Sequence, residues 1–136
     1  MPELHAVIPG RPVPQARPRV TRYGTYNPRR QSEYMEIVRS TLAVEMRRQH
    51  CEIARTGVPV AIDVVAAIPW PTSARARDRE TTVPMIQRPD SDNVLKLAMD
   101  SASGVVFDDD SQVWRVTVEK WRVPIASARL EITIKW

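Results

Sequence analysis

The sequence is short of the residues that staple a chain or build its commonest ligand-binding loops. Its 136 residues hold one cysteine, Cys51. A lone thiol closes no intrachain disulfide and completes no zinc cage, which excludes a disulfide scaffold and makes a reducing, cytoplasmic setting the expectation. Within a helix, as its surroundings suggest, Cys51 reads as an inert thiol. Glycine is scarce, at 4, and no G-x-G-x-x-G, Walker A or G-x-S-x-G occurs, so the common nucleotide-binding and serine-hydrolase signatures are missing. His5 and His50 lie far apart, outside any H-E-x-x-H, and read as surface or helix-end residues. No stretch approaches 18 apolar residues, and no charged segment followed by an apolar run opens the chain. Neither a membrane span nor an export signal is expected.

What is present describes one globular domain over residues 1–136. Hydrophobic residues make up 43% and charged residues 26%, a balance that can bury a core without staples. The charge is segregated. Residues 11–30 carry Arg11, Arg17, Arg19, Arg22, Arg29 and Arg30 with no acid, whereas residues 90–110 carry six aspartates against Lys96 alone. Of the 20 basic residues 17 are arginine, whose planar fork matches phosphate oxygens and stacks on bases. That placement points to a polyanionic partner. Tyr23 and Tyr26, interleaved with these arginines, are candidates for base stacking.

Periodicity supplies a coarse map. Leu4 to Ile8 reads as a first strand, Arg11 to Asn27 as extended loop, and Asn27-Pro28 or Ser32 as a helix start. Tyr34, Ile37, Val38, Leu42 and Met46 form a helical stripe, so a helix is expected from about Arg30 to about Ala54. Val58 to Trp70 alternates as a strand with Asp63 on its other face. Pro71 to Gln87 shows no period and is expected to be a mobile loop. Asp90 to Ser103 returns to helical spacing with Val94, Leu95, Ala98, Met99 and Ala102 on one face and Gly104 as its stop. Val113 to Val123 and Leu130 to Trp136 alternate as strands and are expected to pair as a hairpin, with Trp114, Trp121 and Trp136 in the core. The fold class expected is α+β, a small mixed or antiparallel sheet of about four strands with two main helices.

The densest chemical signal is Arg88-Pro89-Asp90-Ser91-Asp92-Asn93-Val94-Leu95-Lys96, followed after one short helix by Asp108-Asp109-Asp110-Ser111-Gln112. Clustered carboxylates repel at a cost of several kcal/mol at short range. Hard oxygen ligands of this kind suit Mg²⁺ or Mn²⁺, which bridge onward to phosphate oxygens. Lys96 follows Asp92 by four residues and shares its helix face. One aspartate alone could be a helix N-cap, and an acidic triplet alone a solvated turn. An EF-hand fails, because Val94 and Leu95 occupy its fifth and sixth positions and Ser101 its twelfth.

R-P-D-S-D-N-V-L-K, the helix ending at Gly104 and V-F-D-D-D-S-Q-V together resemble the signature of the RusA family of Holliday junction resolvases. I-P-G-R-P-V-P-Q-A-R-P-R-V with the later Y-N-P resembles the amino-terminal segment of its phage-type, often prophage-borne, members. The resemblance implies a homodimer that binds four-way junctions in branched DNA and cuts two strands symmetrically with Mg²⁺, for which Mn²⁺ substitutes. It places the metal-binding and catalytic aspartates at Asp90, Asp92 and Asp110, the motif lysine at Lys96, and the preceding aspartate of the pair at Asp109, a further metal candidate; Asp108 has no assigned role. Arg11, Arg17, Arg19, Arg22, Arg29, Arg30, Arg88 and Lys120 are the candidate DNA contacts. The competing readings are a nuclease for flaps or forks, and a non-catalytic DNA-binding module whose carboxylates are structural.

Overall fold

A computed structural model describes residues 2–14, 19–21, 24–26 and 29–136. The chain runs β1 (Glu3–Pro9), β2 (Arg19–Thr21), β3 (Gly24–Tyr26), α1 (Arg29–Arg48), β4 (Val60–Pro69), β5 (Val83–Pro84), α2 (Ser91–Ala102), β6 (Val113–Val123) and β7 (Arg129–Lys135). Five strands form one mixed sheet in the order β1-β7-β4-β6-β5, one more than expected, and β2 and β3 pair separately inside the segment read as loop. The class is α+β, as anticipated.

The hairpin expected between β6 and β7 does not form. β4 lies between them, parallel to β6 and antiparallel to β7. Its sequence explains this: Val60, Ala61, Ile62, Val64, Ala66, Ala67 and Ile68 are all buried, and a strand apolar on both faces belongs at the centre of a sheet. Parallel neighbours need a crossover, which α2 provides between β4 and β6. After β6 a 3₁₀ turn at Ile125–Ser127 carries the chain past the end of β4 to β7.

One sheet face is sealed. Leu4, Ala6 and Ile8 of β1 and Leu130, Ile132 and Ile134 of β7 join Val60, Ile62, Val64, Ala66 and Ile68 of β4 in the core, beneath Val38 and Leu42 of α1 and Val94, Leu97 and Ala98 of α2. The stripe of α1 is Tyr34, Val38, Leu42 and Met46, strictly every fourth residue, which leaves Ile37 54% exposed. In α2 the buried face turns toward Leu97 and Ser101, with Leu95 and Met99 only partly covered.

α1 ends six residues earlier than expected, so Cys51 lies beyond the helix. The stop is a Schellman motif in which Cys51 N–H donates to Met46 O (2.9 Å) and His50 N–H to Arg47 O (3.2 Å). His50 sits in the left-handed region at φ 55°, where glycine is usual and periodicity gives no warning. Asn27 and Pro28 lie outside the described residues; Ser32 is inside the helix and not its cap. Pro71 to Gln87 holds a 3₁₀ turn at Asp78–Glu80 and the short strand β5, paired with Arg122 and Trp121. Of the three tryptophans expected inside, Trp136 is buried, Trp121 is partly covered and Trp114 is 68% exposed. Trp114 is the extra residue at the register shift between Val113 and Arg115, where strict alternation no longer assigns a face. No helix among the described residues is long and apolar enough to cross a membrane.

Candidate active site

The head of α2 decides what its aspartates can do. Asp90 is the N-cap, with extended backbone (φ −69°, ψ 151°), and its carbonyl accepts from Asn93 N–H (3.1 Å) and Val94 N–H (3.3 Å). Its carboxylate makes no capping bond. The ordinary structural use of an aspartate at this position is therefore unfilled. Asp92 follows in the first turn and is exposed. Both carboxylates stand at the positive end of the helix dipole.

α2 is held from both ends. At its C-terminus Gly104 (φ 82°) reverses the chain. There Arg39 of α1 donates through Nη1 to the carbonyls of Asp100 (3.0 Å), Ser101 (3.3 Å) and Ser103 (3.0 Å), satisfying acceptors that a helix end leaves free. At its N-terminus Lys120 of β6 takes hold of the preceding backbone. Lys120 Nζ donates to Gln87 O (2.9 Å) and Pro89 O (2.8 Å), and Lys120 O accepts from Met85 N–H (2.9 Å). Read from sequence as a DNA contact, Lys120 is occupied in fixing the path into Asp90.

The triplet divides its labour. Asp108 Oδ2 accepts from Thr56 N–H (2.8 Å) and Thr56 Oγ1 (3.2 Å), tying down the turn after α1. Asp109 caps the 3₁₀ turn Asp110–Gln112, accepting from Ser111 N–H (3.0 Å) and Ser111 Oγ, bonds that hold its carboxyl below the usual range. Gln112 closes that capping box from the other side, because its Oε1 accepts from Asp109 N–H (2.8 Å) while its buried amide donates to Ala54, Arg55 and Val58 carbonyls. Asp110 is what remains. Partial desolvation, then the charges of Asp100 and Asp109, push its carboxyl up, and Lys96 partly offsets them; no hydrogen bond enters. Asp110 thus sits beside the Lys96–Asp100 flank of α2.

Among the described residues no group of three or more His, Cys, Asp or Glu side chains gathers tightly enough to hold a metal. Asp90 and Asp92 stand at the helix head and Asp110 along its flank, not drawn into one cage. The donor chemistry still fits a hard divalent cation, since the three carboxylates accept nothing from the described residues. Mg²⁺ characteristically takes one or two carboxylates and keeps several waters.

The arginines are spread. Arg11, Arg30 and Arg88 are exposed, Arg29 pairs with Glu33 at 2.8 Å, and Arg11 lies near enough to Arg122 to help lower its pKa, after desolvation. Arg17 and Arg22, the side chain of Arg19, and Tyr23 with the side chain of Tyr26 lie outside the described residues. Sequence reasoning passed over Asp100, Arg39 and Gln112. Asp100 was recoverable, being four residues after Lys96 on the same face; D-S-Q after Asp109 carried the capping signal of Gln112. Arg39 gave none.

The family model for Endodeoxyribonuclease RusA matches residues 9–135. No curated protein matches the chain.

Proposed function

The chain belongs to the RusA family of endodeoxyribonucleases, and on that premise we propose that it resolves four-way DNA junctions as a Mg²⁺-dependent homodimer, hydrolysing one phosphodiester in each of two strands. The observation that carries the reading is the contrast within one cluster. Asp108, Asp109 and Gln112 are consumed by the fold, while the carboxylates of Asp90, Asp92 and Asp110 accept no hydrogen bond from the described residues. Carboxylates left unengaged by the fold around one helix suit a function.

Asp90, Asp92 and Asp110 would hold the ion; when bound, Mg²⁺ polarises a phosphate and lowers the pKa of an attacking water. In the hydrolysis the water oxygen bonds to phosphorus as the ester bond to the leaving oxygen breaks. Lys96, flanking Asp110, offsets charge on the phosphate oxygens. Arg11, Arg30 and Arg88, with the arginines of residues 17–22, supply sequence-independent phosphate contacts. The reading places the protein in the cytoplasm with its DNA, and Mn²⁺ serves in place of Mg²⁺.

The test is cleavage of synthetic four-way junctions, flaps, forks and plain duplex by the full chain, with Mg²⁺ or with EDTA. Paired, symmetric nicks in junctions with Mg²⁺ alone are expected. Preference for flaps or forks would replace the substrate, and EDTA-insensitive binding without product would replace the enzyme with a binding module.

A further inference from the structure

β6 carries two cations on the helix side of the sheet near its end. Lys120 pairs with Ala66 and Arg122 with Ile68, and both β4 residues belong to the core beneath the helices. Lys120 is spent on Gln87 O and Pro89 O. Arg122 stands two residues, about 7 Å, further along the same face. It is partly buried, and its Nη1 donates to the carbonyl of Pro69 (2.9 Å), the last residue of β4. A guanidinium has five donors, and no other bond among the described residues engages this one.

A second cation is brought to it from the far edge of the sheet. After β1, Gly10 N–H donates to Ala128 O (2.9 Å), Pro12 is buried and Val13 packs on the core, which leaves Arg11 exposed between two anchored neighbours. Desolvation, then the charge of Arg11, lowers the pKa of Arg122, and no carboxylate lies close enough to offset them. Neither arginine forms an ion pair among the described residues. Residues 4–32 contain no acid at all. Two guanidiniums held together without a counter-charge repel, and the fold gains nothing from that repulsion. An anion between them would reverse its sign.

We propose that Arg11 and Arg122 together bind one phosphate of the DNA backbone and hold the strand beside the head of α2. The ligand rests on the nuclease reading, to which the pair adds a cation from outside the arginine-rich segment. Planar forks suit phosphate oxygens, and their contacts are indifferent to base sequence. The place matters as much as the charge. Lys120, on the same face of β6, grips Pro89 immediately before Asp90, so the phosphate on the pair is a near neighbour of the one to be cut. The competing role for Arg122 is a tie for the end of β4 through Pro69 O alone.

Fluorescence anisotropy of the full chain on labelled four-way junctions of two unrelated sequences, in EDTA so that nothing is cut, tests the site with Arg11→Gln, Arg122→Gln and the double variant. Melting curves show each variant folded. Either single change should weaken binding about tenfold on both sequences. The double should lie within about threefold of either single, because contacts to a shared phosphate are coupled, and its salt slope should flatten by about 1 for each site engaged. If Arg122→Gln does not fold, Arg122→Lys keeps one charge without the fork, and its smaller loss should disappear in the Arg11→Gln background. Losses that add fully would mean two separate phosphates, and wild-type affinity in Arg122→Gln would leave Arg122 a tie for Pro69; either overturns the shared site. So would a wild type that binds no junction. Coupled losses in a protein that cuts no DNA when given Mg²⁺ would instead sink the nuclease reading and leave the site standing.

Discussion

The two flanks of the sheet differ in what they leave exposed to solvent. On the β1–β7 flank the inward side chains of both strands, Leu4, Ala6, Ile8, Leu130, Ile132 and Ile134, are buried hydrocarbon packed with α1. On the α2–β6 flank the carboxylates of Asp90 and Asp110 accept no hydrogen bond from the described residues, and Trp114 is exposed. The same contrast recurs within five residues, where Asp108, Asp109 and Gln112 are bound into the fold and Asp110 is not. Natural sequences break local rules where function demands it. The α2–β6 flank is where the proposed chemistry lies.

The hardest way to break the contrast is to neutralise the free set. Asp90→Asn and Asp92→Asn should each lower junction cleavage by roughly 100-fold or more, a loss of about 3 kcal/mol of transition-state stabilisation, with binding kept or tightened. Asp108→Asn should cut nearly as well as wild type but melt earlier, since it weakens the bonds to Thr56. Single-turnover rates beside melting curves separate the two behaviours.

Gln112→Ala removes the donor that serves three carbonyls, and should cost about 1–3 kcal/mol of stability by urea titration. Its effect on cleavage should follow the folded fraction. Lys120→Met probes the clasp ahead of Asp90. It should raise the Mg²⁺ concentration needed for half-maximal cutting while leaving the salt dependence of junction binding unchanged. A phosphate contact would instead reduce the salt slope by about 1 for each lysine removed.

The smallest effects are the most discriminating, because neighbours should respond to pH with opposite sign. Asp110 has a raised carboxyl pKa in the fold, so it favours the folded state at low pH and the contribution is lost as pH rises. Asp110→Asn should therefore melt higher than wild type near pH 7, with the gain vanishing in acid. Asp109 is lowered, so its contribution is present at neutral pH and lost as pH falls. Asp109→Asn should melt slightly lower near pH 7, and that deficit should close in acid. Melting temperatures across pH 3 to pH 7 would show both.

Much of this was legible before any coordinates. α2 announced itself through Asp90, its apolar spacing and Gly104, because cap, period and stop are all local signals. The acidic pair and triplet were visible as chemistry. What escaped was non-local: β4 enters between β6 and β7, and nothing in either strand encodes a neighbour drawn from residues 60–69. The exposure of Trp114 escaped as well, since Trp114 sits at a register shift that only the pairing with β4 reveals. Which aspartates were spent also depended on distant partners, the turn at Thr56 for Asp108 and the carbonyls of residues 54–58 for Gln112.

The central claim is that the free aspartates, and not their bound neighbours, hold the ion. Its most direct measurement is the melting temperature of the full chain with and without millimolar Mg²⁺, at pH 7 and without DNA, for the wild type, Asp90→Asn, Asp110→Asn and Asp108→Asn. Binding to the folded state alone raises stability by mass action. The wild type and Asp108→Asn should rise with Mg²⁺, while Asp90→Asn and Asp110→Asn should not respond. An equal rise in Asp110→Asn, or a rise lost only in Asp108→Asn, would contradict the account.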